Sequence, residues 1–194
     1  MNRKIFIDCG FYNGMALTYF KSTPEYSSDF INYGFDPMMK VEKAKTKWPN
    51  FILDNKAIWT NDGEIDFYIS NRHSGKANGV SHNGKARNET KIRVQCMDFS
   101  KWLKNNFDDK DYIVLKMDVE GAEYELLPKM IQDKTIDLID IIYLEWHPAR
   151  VGDEKWVKAK QIVKLFDKDL IIRKSLERYV QALRVKTNKE KGKT

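Results

Sequence analysis

Short, nearly continuous apolar runs of strand length recur along this chain, separated by windows in which apolar residues return every three or four positions. Continuous runs suit strands buried on both faces, and the intervening windows suit helices that cover them. The alternation lasts from start to finish without an internal repeat, so it predicts an α/β fold with a doubly wound, mainly parallel sheet of seven strands. Strands are expected at Lys4 to Cys9, Ile31 to Phe35, Phe51 to Trp59, Lys91 to Cys96, Tyr112 to Met117 and Leu138 to Leu144. Helices are expected at Gly14 to Lys21, Met38 to Trp48, Phe99 to Asn105 capped by Asp98, Gly121 to Ile131, and from about Glu154 to Phe166.

Two departures from the simple alternation change the picture. After the turn Thr60-Asn61-Asp62-Gly63, the stretch Glu64 to Ser70 alternates polar and apolar, as an antiparallel partner does. Asn71 to Thr90 then has little to bury, which predicts an inserted hairpin carrying a long loop. At the other end, Leu170 to Lys174 and Arg178 to Val185 are joined tightly enough for a hairpin, so the last strand is expected to run antiparallel.

With 194 residues the chain fits one domain, 1–186, followed by a basic tail, 187–194. Hydrophobic residues make up 42% and charged residues 32%, which places it among soluble globular chains. Apolar runs such as Leu138 to Leu144 are too short for a bilayer, and the N-terminus reaches Asp8 before a signal core forms. A cytoplasmic protein without a membrane span is expected. Cys9 and Cys96 sit in or beside apolar runs and read as small buried hydrophobes.

The net charge of +6 is unevenly placed. Between Asn71 and Arg93 stand Arg72, Lys76, Lys85, Arg87, Lys91 and Arg93 against the single acid Glu89. Such a segment can draw an anionic acceptor or a nucleic acid, although no interleaved aromatics are there to stack bases.

Ligands of parallel sheets bind beyond the carboxyl ends of the strands, and the unusual polar residues stand at those ends. The first strand ends in Asp8, followed by Gly10 and Gly14, a spacing that permits a tight turn into a helix and a close approach to the backbone. The second ends in Asp36-Pro37, where an acid can hold the two ribose hydroxyls of an adenosine. Asp8 at the turn would repel a pyrophosphate, which disfavours a dinucleotide. Lys116 and Asp118 share one face of their strand, and a lysine there requires a carboxylate, with Asp8, Asp118 or Glu145 as candidates. Glu123 and Glu125 favour the positive end of the next helix. Glu145 and His147 end another strand on one side, and imidazole is the group best suited to take a proton near neutral pH. His73 and His82 fall in the loop. No metal ligands are assigned; a divalent ion held by Asp118, Glu120 and Glu145 is the alternative.

Five segments together resemble the FkbM-type methyltransferases: Phe6-Ile7-Asp8-Cys9-Gly10-Phe11-Tyr12-Asn13-Gly14; Gly34-Phe35-Asp36-Pro37; Lys56-Ala57-Ile58 with Asp62-Gly63-Glu64; Lys116-Met117-Asp118-Val119-Glu120-Gly121-Ala122-Glu123; and Tyr143-Leu144-Glu145-Trp146-His147. The resemblance implies a class I, Rossmann-like methyltransferase that binds S-adenosylmethionine and O-methylates a hydroxyl of a sugar, polyketide or similar small-molecule or glycan acceptor. It puts Asp8, Gly10, Phe11, Tyr12, Asn13 and Gly14 along the methionine and ribose, Asp36 and Pro37 at the ribose diol, and Ala57 and Ile58 beside the adenine. Asp118 and Glu120 would face the methionine amine or the acceptor, and Glu145 and His147 would flank the acceptor. His147 is then the candidate base, oriented by Glu145 or Asp118, with Lys116 tied into the same edge. Phe11-Tyr12 is bulkier than the family's usual pair, Asp36 stands where glutamate is common, and the first strand begins at residue 4 without the usual upstream segment, which predicts an open cleft or cover from elsewhere. The competing readings are methylation of RNA or another nucleotide-containing acceptor, and a non-catalytic S-adenosylmethionine-binding module.

Overall fold

A computed structural model describes residues 2–70, 79, 89–147, 157, 161, 171–173, 176 and 180. Strands β1 (Lys4–Cys9), β2 (Ile31–Phe35), β3 (Phe51–Asp54), β7 (Tyr112–Met117), β8 (Ile141–Leu144) and β9 (Ile171–Arg173) form one sheet in the order β3-β2-β1-β7-β8-β9. Every pairing in it is parallel. The order reverses between β1 and β7, so the switch point lies at the centre of the sheet.

Both faces of the sheet are covered, which is why the strand runs are apolar throughout. On one face Ile5, Ile7, Leu115 and Met117 pack against Phe99 and Leu103 of α3 (Phe99–Asn106) and Leu126, Leu127 and Met130 of α4 (Glu123–Gln132). Each such buried side chain contributes about 1.5–3 kcal/mol of transfer free energy. On the other face Phe6, Val114 and Tyr143 belong to one cluster with Leu17 and Phe20 of α1 (Met15–Phe20), Leu176 and Val180, against which Val41 and Ala44 of α2 (Val41–Lys47) also pack. Phe6 and Phe20 stack with centroids 4.3 Å apart. The expected cap of α3 is present, Asp98 accepting from the Lys101 N–H at 2.9 Å.

The sheet has six described strands rather than the expected seven, for two reasons. The run Phe51 to Trp59 is not one strand. Asp54-Asn55-Lys56 breaks it, with the Lys56 N–H donating to Asp54 Oδ1 at 3.2 Å, and the chain crosses into a second sheet. There β4 (Ala57–Trp59) pairs in parallel with β6 (Glu89–Asp98), which pairs antiparallel with β5 (Gly63–Ser70). The inserted hairpin therefore belongs to a separate three-stranded sheet, and its second strand starts at Glu89 rather than Lys91.

The second reason lies near the C-terminus. β9 runs parallel to β8, and Val180 is helical and buried, as is Leu176, where a strand from Arg178 is expected. Leu176 and Val180 are four apart, the spacing of one helix face, and that period overrides the local β-branched character. No antiparallel strand joins the main sheet among the described residues. Val157 and Gln161 are helical within the helix expected from Glu154 to Phe166. The rest of that helix, the loop 71–88 apart from Gly79, and the tail 187–194 lie outside the described residues. Among those described, no helix is long and apolar enough to cross a membrane. Both cysteines are buried free thiols, as their apolar surroundings imply.

Candidate active site

The parallel register sets Asp8 directly opposite Lys116, and both point away from the Ile7 and Leu115 face. Lys116 Nζ lies 3.1 Å from Asp8 Oδ1 and 3.4 Å from Asp118 Oδ2, and it donates to the Gly10 carbonyl at 2.7 Å. This answers which carboxylate the strand lysine meets: two of the three candidates, not Glu145. Asp8 has no solvent exposure and, among the described residues, no other hydrogen-bond partner. Burial pushes its carboxyl up to about 6 against the opposing pull of Lys116. Burial would lower the Lys116 ammonium, but Asp8 and Asp118 outweigh it and hold the lysine above its ordinary value. The lysine therefore ties the β1 turn to the end of β7 from beneath.

The turn after β1 is shaped by this clamp. Gly10 has φ 82°, and a Cβ there would lie 1.9 Å from the Asp118 carbonyl oxygen, so only glycine fits. Gly14, with φ 73°, is similarly pressed against the Trp48 indole, whose Nε1 donates to the Asn13 carbonyl at 3.0 Å. The closeness that these glycines allow is thus to the protein's own backbone and Trp48. Asp36, at the end of β2, accepts from the Tyr12 N–H and the Met38 N–H, each at 2.8 Å and each on a different oxygen. Each oxygen keeps a further lone pair for a ligand. Burial raises the Asp36 carboxyl, opposed by those two donors.

At the ends of β7 and β8 a second cluster forms. His147 Nε2 is 3.4 Å from Asp118 Oδ1 and 3.7 Å from Glu120 Oε1. Its Nδ1 is 3.2 Å from Glu123 Oε1, which also accepts the His147 backbone N–H at 2.8 Å. Glu123 is completely buried, and its other oxygen accepts the Gly121 N–H at 2.8 Å. Burial alone would lower the His147 pKa, but the hydrogen bond and charge of Glu123, with Glu120 and Asp118, turn the shift upward. The ring is therefore more readily protonated than a free imidazole. Glu120 itself is held at φ 51°, a left-handed backbone that costs a non-glycine residue roughly 1–3 kcal/mol and is typical of functional sites.

Both clusters border one cavity of about 740 Å³ over the switch point. Of the sequence-predicted residues, Gly10, Phe11, Tyr12, Asn13, Asp36, Pro37, Ala57, Ile58, Lys116, Asp118, Glu120, Glu145 and His147 line it. Asp8 and Gly14 do not: the first lies under the floor and the second caps α1. The sequence reading gave Glu123 to the helix terminus, whereas it is the residue that orients His147. Its signal was its place in the Asp-Val-Glu-Gly-Ala-Glu block, ahead of a helix whose other acid, Glu125, is partly exposed. Met15, Tyr19, Met38, Phe67 and Leu176 also line the cavity and carried no polar signal. Met15 and Tyr19 are four apart on α1, so one helix face supplies both. In the basic segment, Lys91 and Arg93 pair with Asp66 at 2.7 and 3.1 Å, so part of its charge is matched within the hairpin.

A cavity at the switch point of a doubly wound sheet is where α/β folds of this kind bind small molecules. The chain matches the Methyltransferase FkbM domain over residues 8–179. It belongs to that family and is a methyltransferase. Among curated proteins and among solved structures no match to the chain is found.

Proposed function

We propose that the chain methylates a hydroxyl of a small-molecule or glycan acceptor, with S-adenosylmethionine as methyl donor. The observation that carries the choice of donor is the charge of the cavity wall. Its described lining offers Asp36, Asp118, Glu120 and Glu145 against Lys56, Lys116 and His147, and buried Asp8 beneath Lys116 adds a further acid, so the acids outnumber the cations. Such a wall attracts a sulfonium and an ammonium and repels a pyrophosphate. The spare lone pairs of Asp36 suit a ribose diol, Ala57 and Ile58 offer an apolar surface to an adenine, and the cavity is of the size that small-molecule sites occupy.

S-adenosylmethionine supplies an electrophilic methyl group on its sulfonium sulfur. The chain's contribution is alignment and proton removal. Held along Gly10 to Asn13, Asp36, Ala57 and Ile58, the donor would supply that methyl group to the acceptor oxygen, and the Asp118, Glu120 and His147 cluster takes the hydroxyl proton. Glu123 fixes the ring so that Nε2 faces the cavity side, and Lys116 keeps the floor from shifting.

Incubation with methyl-labelled S-adenosylmethionine and separated small-molecule, glycan, protein and RNA fractions of a cell extract tests the reading. Label in the small-molecule or glycan fraction supports it, and label in RNA alone would sink the acceptor assignment.

A further inference from the structure

Three side chains of ligand type converge where β7 and β8 end. One donor atom from each of Asp118, Glu120 and His147 lies within 4.8 Å of the other two. A first-row divalent cation at about 2.0–2.2 Å from each donor needs its donors about 3–3.5 Å apart. Nε2 already stands at 3.4 Å from Asp118 Oδ1 and 3.7 Å from Glu120 Oε1, and rotation of the two carboxylates toward each other would bring the third separation, at most 4.8 Å, into range.

The imidazole is also pre-set for such a role. Its Nδ1 faces buried Glu123 and its Nε2 faces Asp118 and Glu120, so the neutral form with its proton on Nδ1 presents an Nε2 lone pair to the space between the two carboxylates. A ligating histidine that donates its other ring N–H to a carboxylate is the usual outer support of a metal site. Asp118 divides its oxygens, Oδ2 toward Lys116 and Oδ1 toward His147, so its pairing with the lysine leaves one oxygen for a cation. A cation at Nε2 takes the place of the proton that the neighbouring carboxylates favour there, so its binding releases a proton.

We propose that Asp118, Glu120 and His147 bind one divalent first-row transition cation, with its open coordination positions facing the cavity and Glu123 as the positioning residue. The mixed nitrogen and oxygen donor set favours ions such as manganese, iron or zinc over calcium or magnesium, which take oxygen. The set differs from the one weighed from sequence, because the fold brings His147, not Glu145, to the two acids. Binding of the cation does not depend on the methyl-transfer reading; with the site loaded, His147 Nε2 is occupied and the hydroxyl proton passes instead to Glu145 on the same cavity wall.

The test uses the full chain, stripped with chelator and titrated with Mn²⁺ while electron paramagnetic resonance follows the free ion. Saturation at one ion per chain is expected, with Asp118→Asn and Glu120→Gln each weakening binding about 10-fold or more, and Glu123→Gln about 10–100-fold without a change in stoichiometry. Should Glu123→Gln fail to fold, the other two, at the partly exposed edge, carry the test. In a ¹⁵N-histidine spectrum, Zn²⁺ should shift Nε2 of His147 and leave Nδ1 protonated. Non-saturating Mn²⁺ uptake, affinity unchanged in Asp118→Asn and Glu120→Gln, or a His147 ring that keeps both protons in the presence of Zn²⁺ would overturn the proposal. Stoichiometric binding in a chain that methylates no extract fraction supports the site and counts only against the reaction.

Discussion

Two charge clusters in this molecule use nearly the same residue types to opposite ends. On the second sheet, Asp66 and Glu64 face Lys91 and Arg93 across β5 and β6, all with substantial exposure. At the main switch point, Asp8, Lys116, Asp118, Glu120, Glu123 and His147 form a chain of contacts in which two carboxylates have no exposure at all. Water screens the first cluster, so its members keep their pairs without fixing much else. The second sits in a poorly solvated pocket, where each charge needs its partner and each partner fixes an orientation. Burial is what turns a set of ion pairs into a site.

The largest expected effect separates the two clusters by chemistry. His147→Gln should lower turnover by on the order of 10²–10⁴-fold while calorimetric affinity for S-adenosylmethionine stays near wild type. Equal loss of binding would mean that the residue serves the donor rather than the proton.

Next in size is the buried pair. Lys116→Met leaves the Asp8 carboxylate unpaired and should cost about 3–5 kcal/mol at neutral pH in denaturant titrations. Asp8→Asn in that background should recover part of the loss, and additive effects of the two would refute their coupling. Asp8 also predicts a pH slope. Its folded value of about 6 lies above its unfolded value of about 4, so the folded state binds this proton more tightly, and stability from this group falls as pH rises between those values. Asp8→Asn should remove that slope.

A smaller change is expected at Asp36. Asp36→Ala should weaken S-adenosylmethionine binding about 10- to 100-fold, whereas Asp36→Glu should retain most of it, because the carboxylate remains and only its reach changes. Smallest of all, Asp66→Asn on the second sheet should leave the thermal midpoint unchanged within error and activity intact. A clear loss there would erase the contrast between the clusters.

Much of the fold was legible because hydrophobic period and strand length are local properties. β1, β2 and β7 fall where the apolar runs place them, and Lys116 announced a buried counter-charge. The break at Asp54-Asn55-Lys56 was not legible, since a run of strand-forming residues does not say which sheet each half joins. Val180 misled for a related reason: a β-branched residue in a short segment reads equally as strand or helix until its partner four residues back is seen to be buried with it.

By itself the sequence determined the class of the sheet, the polar residues at its strand ends and the family to which they belong, because these rest on pattern and motif along the chain. Only the tertiary structure decided that Asp8 lies under the floor, that Lys116 clamps two carboxylates, and that Glu123 aims His147 at Asp118 and Glu120. Those assignments depend on register between β1 and β7, and on a contact across 24 residues of sequence between α4 and the end of β8. Distances of that kind are fixed by packing and register, and no local pattern encodes them.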